Sequence, residues 1–294
     1  MRADDLSLFQ SPLLPGEELR FEGKLDGEHL AEGLLCAGWH VVGYVEEGVA
    51  SLCAPNLNWR DDDLAKLKEG NWIQRNRDWW RSTQPGPVGS RFVREFVKTQ
   101  GRMVEVGCGP GGGITPRVLL DNRDCRIIMN DISNRILQLQ RDQMKKEGVG
   151  SNVIFMAYDM MKKVLRPETV DAVSSFGGFG ETGGKADMAI SVAYDALVPG
   201  GLLYVSELDH DSDEYRALPD DIKTRFGLTE GWRARLERAG FEITQYAATQ
   251  GELMDDPEDG GLAKAVMERG ITLHKNHAQI IARKPGRGSL SRAP

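Results

Sequence analysis

The sequence predicts an α/β fold, with a mainly parallel sheet between helices and a small β-rich module ahead of it. Three observations support this prediction. An apolar strand breaks into a glycine-rich turn at Gly107–Gly113, further apolar strands follow it along the chain, and helix-like segments separate them. Alternating strands and helices are typical of parallel sheets with crossover helices. The 294 residues suffice for one large α/β domain and an additional module.

Residues 1–69 form the predicted N-terminal β-rich module. Short apolar runs, separated by turn residues, indicate a β-meander. These runs are Gly33–Ala37, His40–Val45 and Val49–Cys53. Residues 70–100 then predict helices: Asn71–Arg81 contains three tryptophans, and Ser90–Thr99 places its apolar residues on one helical face.

The first strand of the main domain, Met103–Val106, ends in five glycines within seven residues. Glycine adopts the positive φ of tight turns and lets a ligand approach the backbone, and the following helix presents unpaired N–H groups. This pattern predicts a site for a nucleotide-type cofactor. The spacing Gly107-x-Gly109-x-x-Gly112 also satisfies the dinucleotide fingerprint, so the glycines alone leave the cofactor open.

Two details make this motif resemble that of the class I S-adenosylmethionine-dependent methyltransferases. Glu105 lies inside the strand, and Gly111 completes a Gly-x-Gly-x-Gly run. The resemblance covers roughly residues 90–284. It implies a Rossmann-like sheet of seven strands with an antiparallel last strand in residues 101–285. It also implies S-adenosylmethionine as the cofactor and residues 70–100 as lid helices over it.

Acidic residues follow the next two strands. Asp131 comes after the strand Cys125–Asn130, where a carboxylate can accept hydrogen bonds from both ribose hydroxyls. Asp159 comes after Val153–Ala157, and the resemblance implies that it contacts the adenine amine. Structural alternatives stay open: Asp131 as a helix cap, Asp159 as a turn residue, and Glu105 as an acceptor for a backbone N–H of the glycine turn.

The remaining strands complete the predicted sheet. The fourth strand of this domain, Val170–Ser175, leads into an aromatic, glycine-rich loop that begins at Phe176. A Pro-Gly-Gly turn at Pro199 opens the fifth strand, a feature familiar in the resembling family. The last two strands are predicted at Phe241–Tyr246 and Ala278–Ala282. The long segment between them, residues 250–276, is expected to cover the substrate or to form a dimer contact, which leaves a homodimer open.

These considerations yield a set of candidate site residues. Trp80 is expected to line the pocket, whereas Trp79 is expected to pack against the core. His210, just past the fifth strand, is the predicted catalytic general base for a hydroxyl acceptor, with a solvated surface histidine as the alternative. The predicted substrate-contacting residues are Trp80 and Phe179. The predicted cofactor-binding residues are Glu105, Gly107, Gly109, Gly111, Asp131, Ile132, Asp159, Met160 and Phe176.

The amino-acid composition limits which binding partners and metals we expect. The net charge of −7 disfavours a nucleic-acid substrate, because nucleic-acid-binding proteins usually carry a basic stripe. The four cysteines show no Cys-x-x-Cys spacing, so neither disulfides nor a metal are expected. The N-terminal module faintly resembles zinc-ribbon-like modules, but without their paired cysteines. Neither a long apolar run nor a signal-like start is present, and we expect a cytoplasmic protein with no membrane association.

The predicted function is methyl transfer from S-adenosylmethionine to a small organic acceptor, a specialised metabolite or a peptide, on oxygen or nitrogen. The reaction is an in-line displacement, in which positioning supplies much of the catalysis. Two alternatives remain: a non-catalytic S-adenosylmethionine-binding or scaffold protein, and a nicotinamide-dependent oxidoreductase. The last residues, 286–294, are expected to be disordered.

Overall fold

The computed structural model describes residues 1–53, 61–83, 85–257 and 261–287, and in these ranges one eleven-stranded sheet organises the fold. The strands are β1 (Leu19–Asp26), β2 (His29–Ala37), β3 (His40–Glu46), β4 (Val49–Ser51), β5 (Arg102–Val106), β6 (Arg126–Asp131), β7 (Val153–Ala157), β8 (Val170–Phe176), β9 (Leu197–Leu208), β10 (Glu242–Thr249) and β11 (His277–Arg283). The spatial order is β1-β2-β3-β4-β7-β6-β5-β8-β9-β11-β10.

The seven strands from β7 to β10 in this order confirm the predicted fold class. β7, β6, β5, β8 and β9 run parallel to one another, and β11 lies antiparallel between β9 and β10. Four residues of β5 and all five of β7 are buried. Such nearly continuous apolar runs are typical of parallel strands that helices cover on both faces.

The β-rich N-terminal segment extends this sheet. β1 to β4 form an antiparallel meander, and β4 pairs in parallel with β7 through Ala50 and Met156. The strand count therefore differs from the expectation of seven strands plus a separate β module. The physical reason is that the edge of β7 offers unpaired backbone groups, which the short strand β4 satisfies. The domain boundaries at residues 69 and 100 stay predictions.

Ten helices accompany the sheet in the described ranges: α1 (Asp61–Glu69), α2 (Trp72–Ser82), α3 (Pro87–Thr99), α4 (Thr115–Asp121), α5 (Asn134–Lys146), α6 (Ala186–Ala196), α7 (Asp213–Arg216), α8 (Asp220–Phe226), α9 (Trp232–Arg238) and α10 (Gly261–Met267). Local sequence explains their starts. Pro87 opens α3, where its missing N–H costs nothing, and the Ser133 hydroxyl caps α5 by accepting the Ile136 N–H.

Side chains that alternate along the central strands build two cores, one on each face of the sheet. Val104 and Ile128 belong to one core, and their neighbours Met103 and Ile127 belong to the other. A third, smaller cluster joins α8 and α10 to the segment before β11 through Val266 and other apolar residues. Residues 250–257 and 261–276 thus pack against α7 and α8, and none of them lines the main pocket described below. The tail prediction falls mostly on residues 288–294, outside the described ranges.

In the described part of the chain, no helix combines the length and the apolar character needed to cross a bilayer. The four cysteines are free thiols. Within the same ranges, no three His, Cys, Asp or Glu side chains come together as a metal site requires.

Candidate cofactor and acceptor site

The main pocket lies at the carboxyl ends of β5, β6, β7 and β8, the edge at which open α/β sheets bind ligands. Its volume is about 660 Å³, within the range of small-molecule sites. The glycine turn after β5 and helix α2 both contribute to its lining. The lining includes nine of the predicted site residues: Trp80, Gly107, Gly109, Gly111, Asp131, Ile132, Asp159, Met160 and Phe176.

The glycine turn depends on its glycines at specific positions. Gly107, Gly109, Gly112 and Gly113 have positive φ values of 61°, 52°, 76° and 58°. At Gly107 a Cβ would also lie 2.9 Å from Cα of Gly178, so a side chain there would push the turn away from the β8 loop. The turn consequently brings its backbone close to the pocket, as a cofactor site requires.

Glu105 does not line the pocket. Its side chain is completely buried, and one carboxylate oxygen accepts the Ile114 N–H at 3.0 Å and the Ser174 hydroxyl at 2.8 Å. Burial raises the pKa of Glu105 to about 7. The carboxylate therefore holds the end of the glycine turn against β8, which agrees with the structural alternative for this residue. Its predicted contact with the cofactor has no support in this geometry.

Asp131 lies at the pocket wall and also organises the backbone around it. Its two oxygens accept the Gly109 N–H at 2.8 Å and the Ser133 N–H at 3.0 Å. Burial raises its pKa, against the effect of these hydrogen bonds. Asp159 likewise lines the pocket and accepts the Met161 N–H at 2.9 Å. Both acids therefore hold nearby backbone N–H groups and also face the pocket, where a ligand could reach them.

An aromatic wall closes one side of the pocket. Trp79 and Trp80 of α2 meet edge to face at 4.5 Å between ring centroids, and Trp80 meets Phe176 in the same way at 5.8 Å. Trp80 is buried, whereas Trp79 remains 45% exposed and also lines the pocket. The expectation that Trp79 only packs against the core therefore missed its position at the pocket.

Phe179 lies in the core on one face of the sheet and does not line the pocket. Its backbone N–H instead reaches Glu207, a buried residue of β9 that sequence reasoning missed. The Glu207 carboxylate accepts the Phe179 N–H at 2.9 Å, the Gly180 N–H at 3.2 Å and the Ser175 hydroxyl at 3.0 Å. Burial raises the pKa of Glu207 to about 8. Glu207 therefore fixes the β8 loop, which supplies part of the pocket wall.

His210 is not among the described lining residues of the pocket, so this geometry gives no support to its predicted role as general base. The imidazole is 8% exposed and stacks between Trp232 at 5.0 Å and Tyr215 at 5.9 Å. Burial, together with the charge of Arg235, lowers its pKa to about 4. The sequence did not predict the burial of His210, because the imidazole packs against Trp232 of α9, which lies 22 residues further along the chain.

The charges of the pocket have one sign. Asp131, Asp159 and Glu181 line it, and the described lining residues include no Lys, Arg or His. The polar residue Asn76 comes from α2 and was not among the predicted site residues. Such a lining attracts a cation and offers an anionic group no counter-charge.

Comparison with known proteins identifies the domain. Residues 103–201 match the model of a protein family that is described as a methyltransferase domain. A carboxy-S-adenosyl-L-methionine synthase of Shewanella sediminis is 24% identical over 143 residues, which are 48% of this chain and 58% of the relative. A ubiquinone/menaquinone biosynthesis C-methyltransferase of a Marinomonas species is 22% identical, over 54% of this chain and 73% of the relative.

Solved structures add two further likenesses. A methyltransferase of Methanosarcina mazei has 15% identity and a TM-score of 0.47 over 70% of this chain and all of its own. The cyclase SpnF has 23% identity and a TM-score of 0.48 over 67% of this chain and 80% of its own. Residues 103–201, which the family model matches, contain the glycine turn, Asp131, Asp159 and the β8 loop. Residues 103–201 are therefore similar to a methyltransferase domain, and this similarity supports S-adenosylmethionine as the cofactor.

Proposed function

We propose that this chain transfers the methyl group of S-adenosylmethionine to a neutral or cationic small organic acceptor, a specialised metabolite or a peptide, on nitrogen or oxygen. The observation that carries the proposal is the pocket itself. It combines the glycine turn with an aromatic wall, and the charged side chains of its described lining are all carboxylates. An anionic acceptor would need a cationic side chain to replace its lost hydration, and the described lining offers none.

The glycine turn and the two acids account for the cofactor. We assign Gly107, Gly109 and Gly111 to the methionine part, Asp131 with Ile132 to the ribose, and Asp159 with Met160 to the adenine. The sulfonium is a cation, so the aromatic wall and the acidic lining both favour its binding electrostatically. Backbone groups of the turn lie at the pocket surface, where they can reach polar atoms of the ligand.

The acceptor belongs beside the aromatic wall, between α2 and the β8 loop. In the reaction the carbon–sulfur bond breaks, a carbon–nitrogen or carbon–oxygen bond forms, and the thioether S-adenosylhomocysteine leaves. Holding the nucleophile in line with that bond can supply up to about 7–11 kcal/mol of barrier reduction in well-oriented reactions. The proton of the acceptor passes to water or to Glu181, the lining carboxylate for which the described residues offer no hydrogen-bond donor.

One relative points to a different product. The Shewanella protein is named a carboxy-S-adenosyl-L-methionine synthase, so its product carries an extra carboxylate. The alignment spans 58% of that relative. The described lining of the present pocket contains no Lys, Arg or His that could pair with such a carboxylate. We therefore do not extend that activity to this chain.

The test has two stages. Calorimetric titration with S-adenosylmethionine, S-adenosylhomocysteine and NAD should give micromolar binding for the first two and none for NAD. Methyl-deuterated S-adenosylmethionine is then incubated with matched amines, alcohols and carboxylates, and mass spectrometry follows label transfer. We expect labelled amines or alcohols and unlabelled carboxylates. Labelled carboxylates would contradict the charge argument, whereas cofactor binding without any transfer would favour the non-catalytic alternative.

A further inference from the structure

One buried glutamine connects the two parts of the pocket that come from different elements. Gln140 of α5 is completely buried, and its amide nitrogen donates to the carbonyl oxygens of Gly109 at 3.0 Å and Pro110 at 2.9 Å. Its amide oxygen accepts a hydrogen bond from the Arg77 guanidinium of α2 at 3.0 Å. The glycine turn and helix α2 therefore share a single side chain.

The chemistry of the three partners fixes the orientation of this amide. Arg77 only donates and the two carbonyl oxygens only accept, so the amide oxygen must face α2 and the amide nitrogen must face the glycine turn. Arg77 is itself 3% exposed, and its nearest acid, Glu147, lies at 3.8 Å. This ion pair is too long to be a hydrogen bond, and a buried guanidinium is costly unless it is hydrogen-bonded, which makes the contact with Gln140 important for Arg77.

Helix α2 carries pocket residues on the turns next to Arg77. Asn76 lies over the glycine turn, Trp79 and Trp80 form the aromatic wall, and all three line the pocket. A shift of the glycine turn relative to α5 would break hydrogen bonds to Gln140, and a shift of α2 would break the bond from Arg77. Gln140 therefore helps to hold the turn and the aromatic wall in their relative position, beside other contacts between α2 and α5.

We propose that Gln140 is a positioning residue that couples cofactor binding at the glycine turn to the closure of α2 over the acceptor. This inference depends on the proposed function, because it requires S-adenosylmethionine or its product at the glycine turn. Coupling of this kind is reciprocal: an occupied turn steadies α2, and a steadied α2 strengthens cofactor binding.

The test uses the full chain and S-adenosylhomocysteine as the probe. In the wild type, hydrogen–deuterium exchange should slow on ligand addition both in residues 105–114 and in α2. Gln140→Leu removes the contacts with the turn and with Arg77, and it should weaken binding about tenfold and abolish the protection of α2. Gln143→Leu is the matched control. Gln143 lies on the same helix and contacts α2 through Gln74 at 2.7 Å, so this variant should keep the affinity and the protection.

If Gln140→Leu does not fold, Gln140→Glu replaces it, since a glutamate keeps the volume and the partner Arg77 but cannot donate to the carbonyl oxygens of the turn. Wild-type protection confined to the glycine turn would overturn the coupling without any variant. Equal losses in Gln140→Leu and Gln143→Leu would also overturn it, because general α2–α5 packing would then explain the effect. A wild type that binds no S-adenosylhomocysteine would overturn the proposed function and this inference together.

Discussion

The buried acids around the pocket accept hydrogen bonds from different parts of the backbone. Glu105 accepts hydrogen bonds from the glycine turn and β8, Glu207 accepts them from the β8 loop, and Asp131 binds two N–H groups while it lines the pocket. Every one of these carboxylates accepts backbone N–H groups, because burial without such partners would cost several kcal/mol. Of the three, Asp131 also faces the space that the cofactor is proposed to occupy.

We predict that Asp131→Asn weakens S-adenosylmethionine binding tenfold or more, estimated from about 1.5–3 kcal/mol for a hydrogen bond to a charged group. The asparagine keeps one oxygen for Gly109 or Ser133 but loses the charge and the second acceptor. We expect the free energy of unfolding to fall by only about 1 kcal/mol. Calorimetric titration and urea unfolding measure the two effects. Unchanged affinity would remove the ribose assignment.

His210 should affect stability at acidic pH and leave methyl transfer unchanged. Its folded-state pKa is about 4, against 6.5 when exposed, so between these values the unfolded chain binds a proton that the folded chain does not. The free energy of unfolding therefore falls as the pH falls from 6.5 to 4, by an amount on the order of 2–3 kcal/mol.

We predict that His210→Phe, which keeps a ring between Trp232 and Tyr215, removes this loss while its turnover matches that of the wild type. The difference between variant and wild type in urea unfolding at pH 4, 5, 6 and 7 isolates this histidine from the other titrating groups. A large fall in turnover with normal stability would restore His210 as a catalytic candidate.

Among the elements, the loop after β8 is held by one buried carboxylate, that of Glu207. Its backbone N–H groups at Phe179 and Gly180 point inward to Glu207, and its outer side lines the pocket with Gly177, Gly178 and Thr182. A Cβ at Gly180 would lie 2.9 Å from the Glu207 carboxylate, so this close approach depends on glycine. The loop is thus shaped by a carboxylate from the neighbouring strand.

We predict that Glu207→Gln flattens part of the pH dependence of stability and loosens this loop. With a folded-state pKa near 8 against 4.5, the folded chain keeps a proton that the unfolded chain releases between these values. The free energy of unfolding therefore falls as the pH rises from 4.5 to 8, by at most about 1.4 kcal/mol per pH unit from this group. Glutamine does not titrate, so that contribution disappears.

Urea unfolding at pH 5, 6, 7 and 8 measures the change for Glu207→Gln. Glu105, whose pKa is also raised, keeps a residual slope of the same sign in the variant. We also expect the KM of the acceptor to rise more than the Kd of S-adenosylmethionine, because the glycine turn keeps Glu105 and Asp131. A variant with the wild-type slope would show that Glu207 does not titrate in this range.

The sequence predicts the elements well where their signals are local. The glycine turn after β5, Asp131 at the end of β6, Asp159 after β7 and the Pro-Gly-Gly turn near the start of β9 mark strand boundaries to within a few residues. The contacts of Glu207, the packing of His210 on Trp232 and the bridge made by Gln140 join residues 22 to 63 positions apart, and no local pattern encodes them. Val49–Ser51 likewise predicts only a meander strand, since its parallel pairing with β7 depends on a free edge more than 100 residues away.

At the scale of the whole molecule, the pairing of β4 with β7 gives the N-terminal meander and the central strands a shared hydrophobic core. One hydrophobic cluster contains Phe9 and Leu35 from the N-terminal segment together with Val104 and Ile128 from the central strands. Separate domains keep separate cores, whereas elements that share one core usually unfold together. The N-terminal meander and the cofactor domain are therefore expected to unfold in a single transition.

We predict one calorimetric transition, which S-adenosylhomocysteine shifts upward as a whole, because a ligand that binds only the folded state stabilises everything that unfolds with its site. Leu35→Ala, in a completely buried position, should lower the free energy of unfolding by about 2–5 kcal/mol and move that same transition. Leu34→Ala is the matched control, since Leu34 is the next residue on the same strand and is 44% exposed, so it should change stability little. Two transitions, of which the ligand moves one and Leu35→Ala the other, would instead mean that the meander folds independently and that its attachment to β7 contributes little to the stability of the cofactor site.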